Sequence, residues 1–357
     1  MSTRLKYIPE MDSLRALAVL MTLGAHFLPD KGLYHIPYLW YGVDLFFVIS
    51  GFLITSILLN TKVSEGNISK FQTIKNFYIR RVLRLFPIYY LFILFFFLSK
   101  HIFNLYIWKD DYNLYFFTYL QNLYFFVIGS NQSMFSHLWS LGVEEQFYLI
   151  WPFLIIFLPN RLINRFIIFI IILSILLNAI FIHIPFFRGL TFSNFHTLGI
   201  GALLGYYYCI AKDNVILKQI RKYRLVYLII SLVLLIIVLN YQKLEFTYTF
   251  VIETLVALCG VLLVINTIYG WPSILAKVIK NKLLQHIGKV SYGIYLFHMP
   301  IPFFLHFMAE KLHITTYIPI NPAFLFLFYF LVTYLIATLS YNILEVRFLK
   351  IKQKFDL

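Results

Sequence analysis

Apolar runs close to 20 residues long, separated by short basic or polar stretches, recur from one end of the chain to the other. A helix needs about 20 predominantly apolar residues to cross the hydrocarbon of a bilayer. The runs are continuous rather than alternating, which favours helices over a transmembrane β-barrel. The pattern predicts an all-α polytopic membrane protein with about ten crossings, near 11–29, 42–60, 85–103, 138–158, 166–183, 195–211, 225–240, 247–266, 288–309 and 322–345. Residues 1–357 are expected to form a single integral-membrane domain. The stretch 112–128 is long enough to be an eleventh crossing, but it is rich in Tyr, Asn and Gln. Such a segment suits a re-entrant or interfacial element better than a lipid-facing span.

Composition supports the membrane reading, since 61% of the 357 residues are hydrophobic, 20% aromatic and only 13% charged. A net charge of +15 would suggest nucleic acid in a soluble protein. Here the basic residues lie between apolar runs, so topology explains them and no nucleic-acid partner is implied. With ten crossings and the N-terminus inside, 23 of the 30 Lys and Arg fall on the inner side, six fall outside, and Arg15 lies within the first run. This asymmetry predicts cytoplasmic termini and a multi-pass protein of the inner membrane. Cys209 and Cys259 both lie in apolar runs, so no disulfide framework is expected. The first run carries Arg15 and lacks a small-residue cleavage site, so it is read as a retained helix rather than a signal peptide.

Arg15 and His26 stand out in that first helix. Eleven steps of about 100° make three turns plus roughly 20°, so both side chains share one face, about 16 Å apart along the axis. Ionisable residues at such depths usually face a bundle interior or a water-filled cavity and mark function. The topology sorts the other polar residues into two layers. The inner layer holds Arg15, the run Arg80-Arg81-Val82-Leu83-Arg84, and Glu345 and Arg347. Guanidinium groups bind phosphates well, so this layer suits an anion, although a plain positive-inside anchor would look similar. The outer layer holds His26, Asp44, His137, Glu144 and Glu145, with His298 at mid-membrane. A neutral imidazole oriented by a carboxylate takes a proton from a hydroxyl. Either Asp44 or Glu144 could supply that carboxylate to His26, because the three lie on different helices. A buried ion pair that only fixes helix packing is the plainer alternative.

These residues also resemble a known family. Asp12-Ser13-Leu14-Arg15-Ala16-Leu17-Ala18 with His26, the stretch Tyr41–Ile54 (YGVDLFFVISGFLI), the run Arg80–Tyr90 (RRVLRLFPIYY), His137–Tyr148 (HLWSLGVEEQFY), Gly288–His298 (GKVSYGIYLFH), and Ser340-Tyr341 with Glu345 resemble, in order, the motifs of membrane acyltransferase family 3, the O-acetylase group that modifies cell-surface glycans. Gly142 stands where relatives more often carry Ser. No Arg precedes the Leu/Gly/Ala-rich stretch after Ser193 more closely than Arg188, so the acceptor-recognition role of such an Arg is in question here. The chain ends at Leu357 and resembles the stand-alone form, without the extracytoplasmic hydrolase-like domain fused to many relatives.

The resemblance implies a cytoplasmic acyl-CoA donor, usually acetyl-CoA, and a carbohydrate acceptor hydroxyl on a cell-surface or lipid-linked glycan, such as a lipopolysaccharide repeat, an exopolysaccharide or peptidoglycan. On that reading His26, Asp44 and Glu144 are catalytic. Arg15, Arg80, Arg81 and Arg84 bind the CoA phosphates, and Ser340, Tyr341 and Glu345 shape the donor channel. His137, Trp139, Glu145 and His298 are expected to contact the acceptor. No metal is implied. Two other classes compete. A transporter or flippase of a lipid-linked saccharide predicts matching broken helices in two halves, and the sequence shows no such symmetry. A glycan-binding structural protein would not need inner arginines combined with an outer histidine.

Overall fold

A computed structural model describes residues 7–29, 36, 38–63, 69–103, 109, 111–129, 133–240, 249–311 and 321–355. Among them every regular element is helical. The first half comprises α1 (Glu10–Phe27), α2 (Gly42–Val63), α3 (Lys70–Phe103), the short pair α4 (Tyr112–Phe117) and α5 (Gln121–Ile128), α6 (Trp139–Phe157), α7 (Asn160–Ile180) and α8 (Phe195–Cys209). The second half comprises α9 (Val215–Lys222), α10 (Arg224–Asn240), α11 (Thr249–Tyr269), α12 (Ser273–Ile279), α13 (Lys282–Lys289), α14 (Ser291–Phe297), α15 (Pro300–Lys311), α16 (Pro322–Ser340) and α17 (Val346–Lys352).

Among the described residues six spans are long and apolar enough to cross a membrane by themselves: 39–63, 70–99, 136–157, 160–180, 249–269 and 322–352. A seventh arises if α9 and α10, bent by 79°, count as one span. The other expected crossings lie on helices that fall short for stated reasons. The 18-residue α1 carries Glu10, Asp12 and Arg15, and α8 has only 15 residues. The stretch 288–309 is broken into the end of α13, α14 and α15. Arg4, Lys6, Lys31 and Lys243 of the charge count lie outside the described residues.

Close backbone contact holds the bundle at α2 and α8. A Cβ on Gly51 would stand 2.0 Å from the Leu198 carbonyl oxygen, and one on Gly201 would stand 2.1 Å from the Val48 carbonyl oxygen. Small residues that let backbones meet are the usual basis of helix packing in lipid, where no hydrophobic force drives helices together. The same device pins α13 to α1, because a Cβ on Gly288 would lie 1.6 Å from the Asp12 carbonyl oxygen. Ser13 Oγ adds a 2.6 Å hydrogen bond to the Ile279 carbonyl. Helix α1 therefore runs beside α13 and α14, and both ends of α1 meet that layer.

The segment 112–128 forms two helices of six and eight residues, neither able to cross a bilayer alone. They join through Tyr119, whose φ is +57°. Broken backbone inside a bundle must find side-chain partners. Tyr89 OH donates to the Phe116 carbonyl at 2.7 Å, Tyr90 OH to Phe117 at 3.0 Å, and Gln146 Nε2 to Tyr119 at 2.9 Å. Phe116, Gln121 and Asn122 are buried, so the polar character seen in the sequence serves the interior.

Candidate active site

A pocket with about 710 Å³ of empty space opens between α1, α2, α3, α6 and α14. Its lining includes Arg15, Arg81 and Arg84, the group Ser50, Glu144 and Tyr148 that adjoins Arg81, and Ser140 and Tyr295, whose hydroxyls meet away from the arginines. Helix geometry places the cations. Arg81 lies over the rings of Tyr148, at 4.6 Å, and Phe77, at 5.6 Å. Arg15 Nη1 reaches Asp12 Oδ1 at 3.1 Å. The other Asp12 oxygen accepts from Tyr7 OH. Glu144 Oε1 accepts from Ser50 Oγ at 2.6 Å, Ser50 Oγ accepts from Tyr148 OH at 3.0 Å, and Arg81 and Arg15 act on Glu144 electrostatically.

The chain below Ser340 closes this end. Residues Tyr341–Glu345 form a π-turn, an irregularity common at functional sites. The turn buries Glu345 near Arg84 and puts the Tyr341 ring 5.4 Å from Lys289 Nζ. One Glu345 oxygen is buried without a hydrogen-bond partner among the described residues. Past it, Lys352 lies in the field of Arg15, Arg80, Arg81 and Arg84. Arg80 itself turns to the Phe355 carbonyl at 2.9 Å and does not line the pocket.

At the far end of the pocket a short hydrogen-bonded chain leads to three histidines. The Ser140 and Tyr295 hydroxyls are 2.6 Å apart, and Tyr295 OH donates to the His137 carbonyl at 2.6 Å. The ring centroids of His137 and His298 are 4.7 Å apart, and those of His298 and His26 are 5.1 Å apart. His137 and His298 are buried, whereas His26 is exposed. The two ends of the α1 face therefore have different settings: Arg15 looks into the pocket beside α14, and His26 packs on the end of α14 from the accessible side.

A second polar cluster lies where α7, α8 and α11 meet. Glu253 on α11 pairs with Arg188 and stands 3.5 Å from His196 Nε2. Asn178 and Ser174 on α7 hold the Ser193 carbonyl at 2.7 and 2.9 Å. Arg188 acts electrostatically on buried Asp44 as well.

The structure regroups the expected residues. Glu144, placed with the outer histidine by depth alone, belongs to the arginine pocket. Asp44 looks to Arg188. Among the described residues no hydrogen bond or ion pair joins His26 to either carboxylate. Glu145 lies among Tyr89, Tyr119 and Tyr292, and Trp139 packs edge-on against Phe47 at 6.0 Å. Ser340 is half-buried at the start of the π-turn. Sequence reasoning missed Ser50, Tyr148, Ser140, Tyr295, Glu253 and Lys352. Glu253 had a signal, as a lone acid in an apolar run, and Ser50, Ser140, Tyr148 and Tyr295 lie within the motifs quoted for the family resemblance.

Fold and pocket define a class: a helical protein with several membrane-spanning segments, a cationic pocket at one end and accessible imidazole at the other. The chain matches the acyltransferase domain family over residues 8–342 and belongs to that family. Among curated proteins it is similar to a peptidoglycan O-acetyltransferase OatA of Listeria monocytogenes, 31% identical over 324 residues, covering 83% of this chain and 49% of the relative. It is also similar to the O-acetyltransferase OatA of Staphylococcus aureus (strain NCTC 8325 / PS 47), 29% identical over 369 residues, covering 95% of this chain and 57% of the relative. The chain thus spans about half the length of the curated relatives it matches. No solved structure matches it.

Proposed function

We propose that the protein transfers an acyl group, acetyl in the first instance, from acyl-CoA bound at the arginine end to a hydroxyl of a cell-wall glycan met at the histidine end. The observation that carries this reading is the single pocket that begins at Arg15, Arg81 and Arg84 and stops at Ser140 and Tyr295, one ring away from His298 and His137. A CoA thioester has a polyphosphate head and a largely apolar arm, and this pocket combines three arginines with a lining of Phe, Leu, Val and Tyr side chains. The basic asymmetry of the loops supports a reading with the arginine end, both termini and the donor on the cytoplasmic side of the inner membrane. Helices α1, α8, α10 and α14–α15 complete ten crossings, shielded by neighbours where they are too short or too charged to insert alone.

In the proposed reaction the arginines and Lys352 hold the phosphates, and Glu345 limits how far the cations spread. The thioester lies toward Tyr295. His26 takes the proton from the acceptor hydroxyl, and the oxygen attacks the thioester carbonyl. The carbon–sulfur bond breaks, and the CoA sulfur leaves with the proton from His26. Peptidoglycan is the acceptor suggested by the name of the Listeria relative, in preference to lipopolysaccharide. The break at His298 and Met299 between α14 and α15 is also a feature of transporters, whose sites sit at discontinuous helices. A flippase of a lipid-linked saccharide is therefore the second reading.

Purified protein in detergent with radiolabelled acetyl-CoA and a soluble glycan acceptor tests the first. Label should move to the glycan in wild type, vanish with His26→Ala, and require more donor with Arg84→Ala. Label transfer by His26→Ala at the wild-type rate would refute the role of His26. Absence of donor binding in every form, with saccharide movement in proteoliposomes, would establish the flippase.

A further inference from the structure

The histidine row contains a lone pair with no assigned use. His298 Nδ1 lies 2.6 Å from the Tyr295 carbonyl oxygen. A carbonyl only accepts, so Nδ1 carries the proton, and Nε2 of the neutral ring is then a bare acceptor. That nitrogen is buried and has no hydrogen-bond partner among the described residues. A buried acceptor left unmatched is costly, and such atoms in native structures ask for an explanation.

Two imidazoles flank it. His137 commits Nε2 to the Leu296 carbonyl at 3.3 Å, so that N–H is spent. His26 has no hydrogen bond among the described residues. The His26 and His298 rings are in contact, with centroids 5.1 Å apart and planes tilted by 45°, although no His26 nitrogen makes a hydrogen bond to Nε2 in this resting geometry. A ring nitrogen lies about 1.1 Å from its centroid, so at this separation a turn of the exposed His26 ring that aims one nitrogen at Nε2 would close a bond of about 2.9 Å.

We propose that His298 is the positioning residue of the transfer, accepting an N–H from His26 through Nε2. This rests on His26 as the base. The contact fixes the tautomer of His26 and leaves its other nitrogen, with a lone pair, toward the acceptor on the accessible side. His298 thus fills the place that a carboxylate holds in many histidine-dependent hydrolases. Asp44 and Glu144, the carboxylates expected there, are engaged elsewhere. When His26 takes the acceptor proton it becomes an imidazolium with two N–H groups. One stays on His298 Nε2, and the other returns its proton to the CoA sulfur as the carbon–sulfur bond breaks. Nothing is oxidised or reduced, and His298 keeps its own proton throughout.

The test compares His298→Asn with His298→Gln in the purified full chain. Asn keeps a donor for the Tyr295 carbonyl but has no atom at the position of Nε2. Gln extends an amide oxygen toward that position. With acetyl-CoA as donor, Asn should lower kcat by about 100-fold, with KM for acetyl-CoA unchanged within about twofold, and Gln should stay within about tenfold of wild type. Equal kcat in the two variants, whether both high or both abolished, overturns the proposal, as does failure of both to bind acetyl-CoA, which would make the ring structural. His26→Ala separates the two claims. If it retains transfer, the base assignment falls. If it loses transfer while His298→Asn keeps it, only the role of His298 falls.

Discussion

His137 takes the carbonyl that Pro300 leaves free, that of Leu296. Proline has no N–H, so Pro300 cannot donate to the Leu296 carbonyl four residues back, and the helix breaks after Phe297. His137 Nε2, arriving from the turn before α6, takes that carbonyl at 3.3 Å. The break between α14 and α15 and the place of His137 in the histidine row thus have one local cause.

Replacing that proline tests the link. Pro300→Ala restores a backbone donor that competes with His137 for Leu296. Pro300 opens α15, a position where proline costs a helix little, so thermal stability in detergent should change little. Acetyl transfer should nevertheless fall by about tenfold as the row loosens, since small misplacements in a site are expensive. Unchanged transfer with a continuous α14–α15 helix would show that the break does not serve the site.

The cations at the other end should act on donor affinity rather than on the chemical step. Arg81→Ala and Arg84→Ala each remove a charge-assisted contact worth about 1.5–3 kcal/mol, which is about 10- to 100-fold in KM for acetyl-CoA. Lys352→Ala should act in the same direction but less. Isothermal titration with CoA, repeated at higher salt, checks this, and an affinity indifferent to all three substitutions would count against a phosphate site.

Gly288→Ala should damage the fold rather than the chemistry. The added Cβ would lie 1.6 Å from the Asp12 carbonyl oxygen, a backbone atom that cannot turn aside. Overpacking of this kind costs about 1–3 kcal/mol or more. A lower unfolding temperature in detergent is expected, together with weaker donor binding, because Arg15 sits one turn along from Asp12.

The ion pair of Arg188 and Glu253 gives an asymmetric prediction. The Glu253 side chain is only 5% exposed, and Arg188 is 45% exposed. Arg188→Ala strands a buried carboxylate, which costs about 3–5 kcal/mol. The double substitution Arg188→Ala with Glu253→Leu should recover most of that stability. Thermal unfolding of the three forms decides it, and additive losses would deny the coupling.

Much of this was legible in the chain. Apolar runs mark helices because lipid allows no unpaired backbone. The shared face of Arg15 and His26 follows from helical periodicity alone, and α1 presents both ends of that face to the α13–α14 layer. The number of self-sufficient spans was not legible, because shielding of Glu10 and Asp12 on α1, and of the short α8, depends on neighbours far away in sequence. The pairing of acids with bases was equally hidden. Glu144 and His26 seemed to share a layer, yet six residues separate His137 from Glu144 at the α6 entrance, enough to carry Glu144 down to Ser50 and Arg81.

By itself, then, the sequence determined helix, face, charge asymmetry and family, since each depends on spacing within one segment or on motifs read in order. Tertiary structure decided which side chains meet: His298 rather than a carboxylate beside His26, Arg188 beside Glu253, and Ser140 and Tyr295 at the end of the donor pocket. The reason is physical. Periodicity is set by bonds four residues apart, whereas a partner on another helix is set by where small residues such as Gly51, Gly201 and Gly288 let backbones touch, and by which carbonyls a proline leaves free.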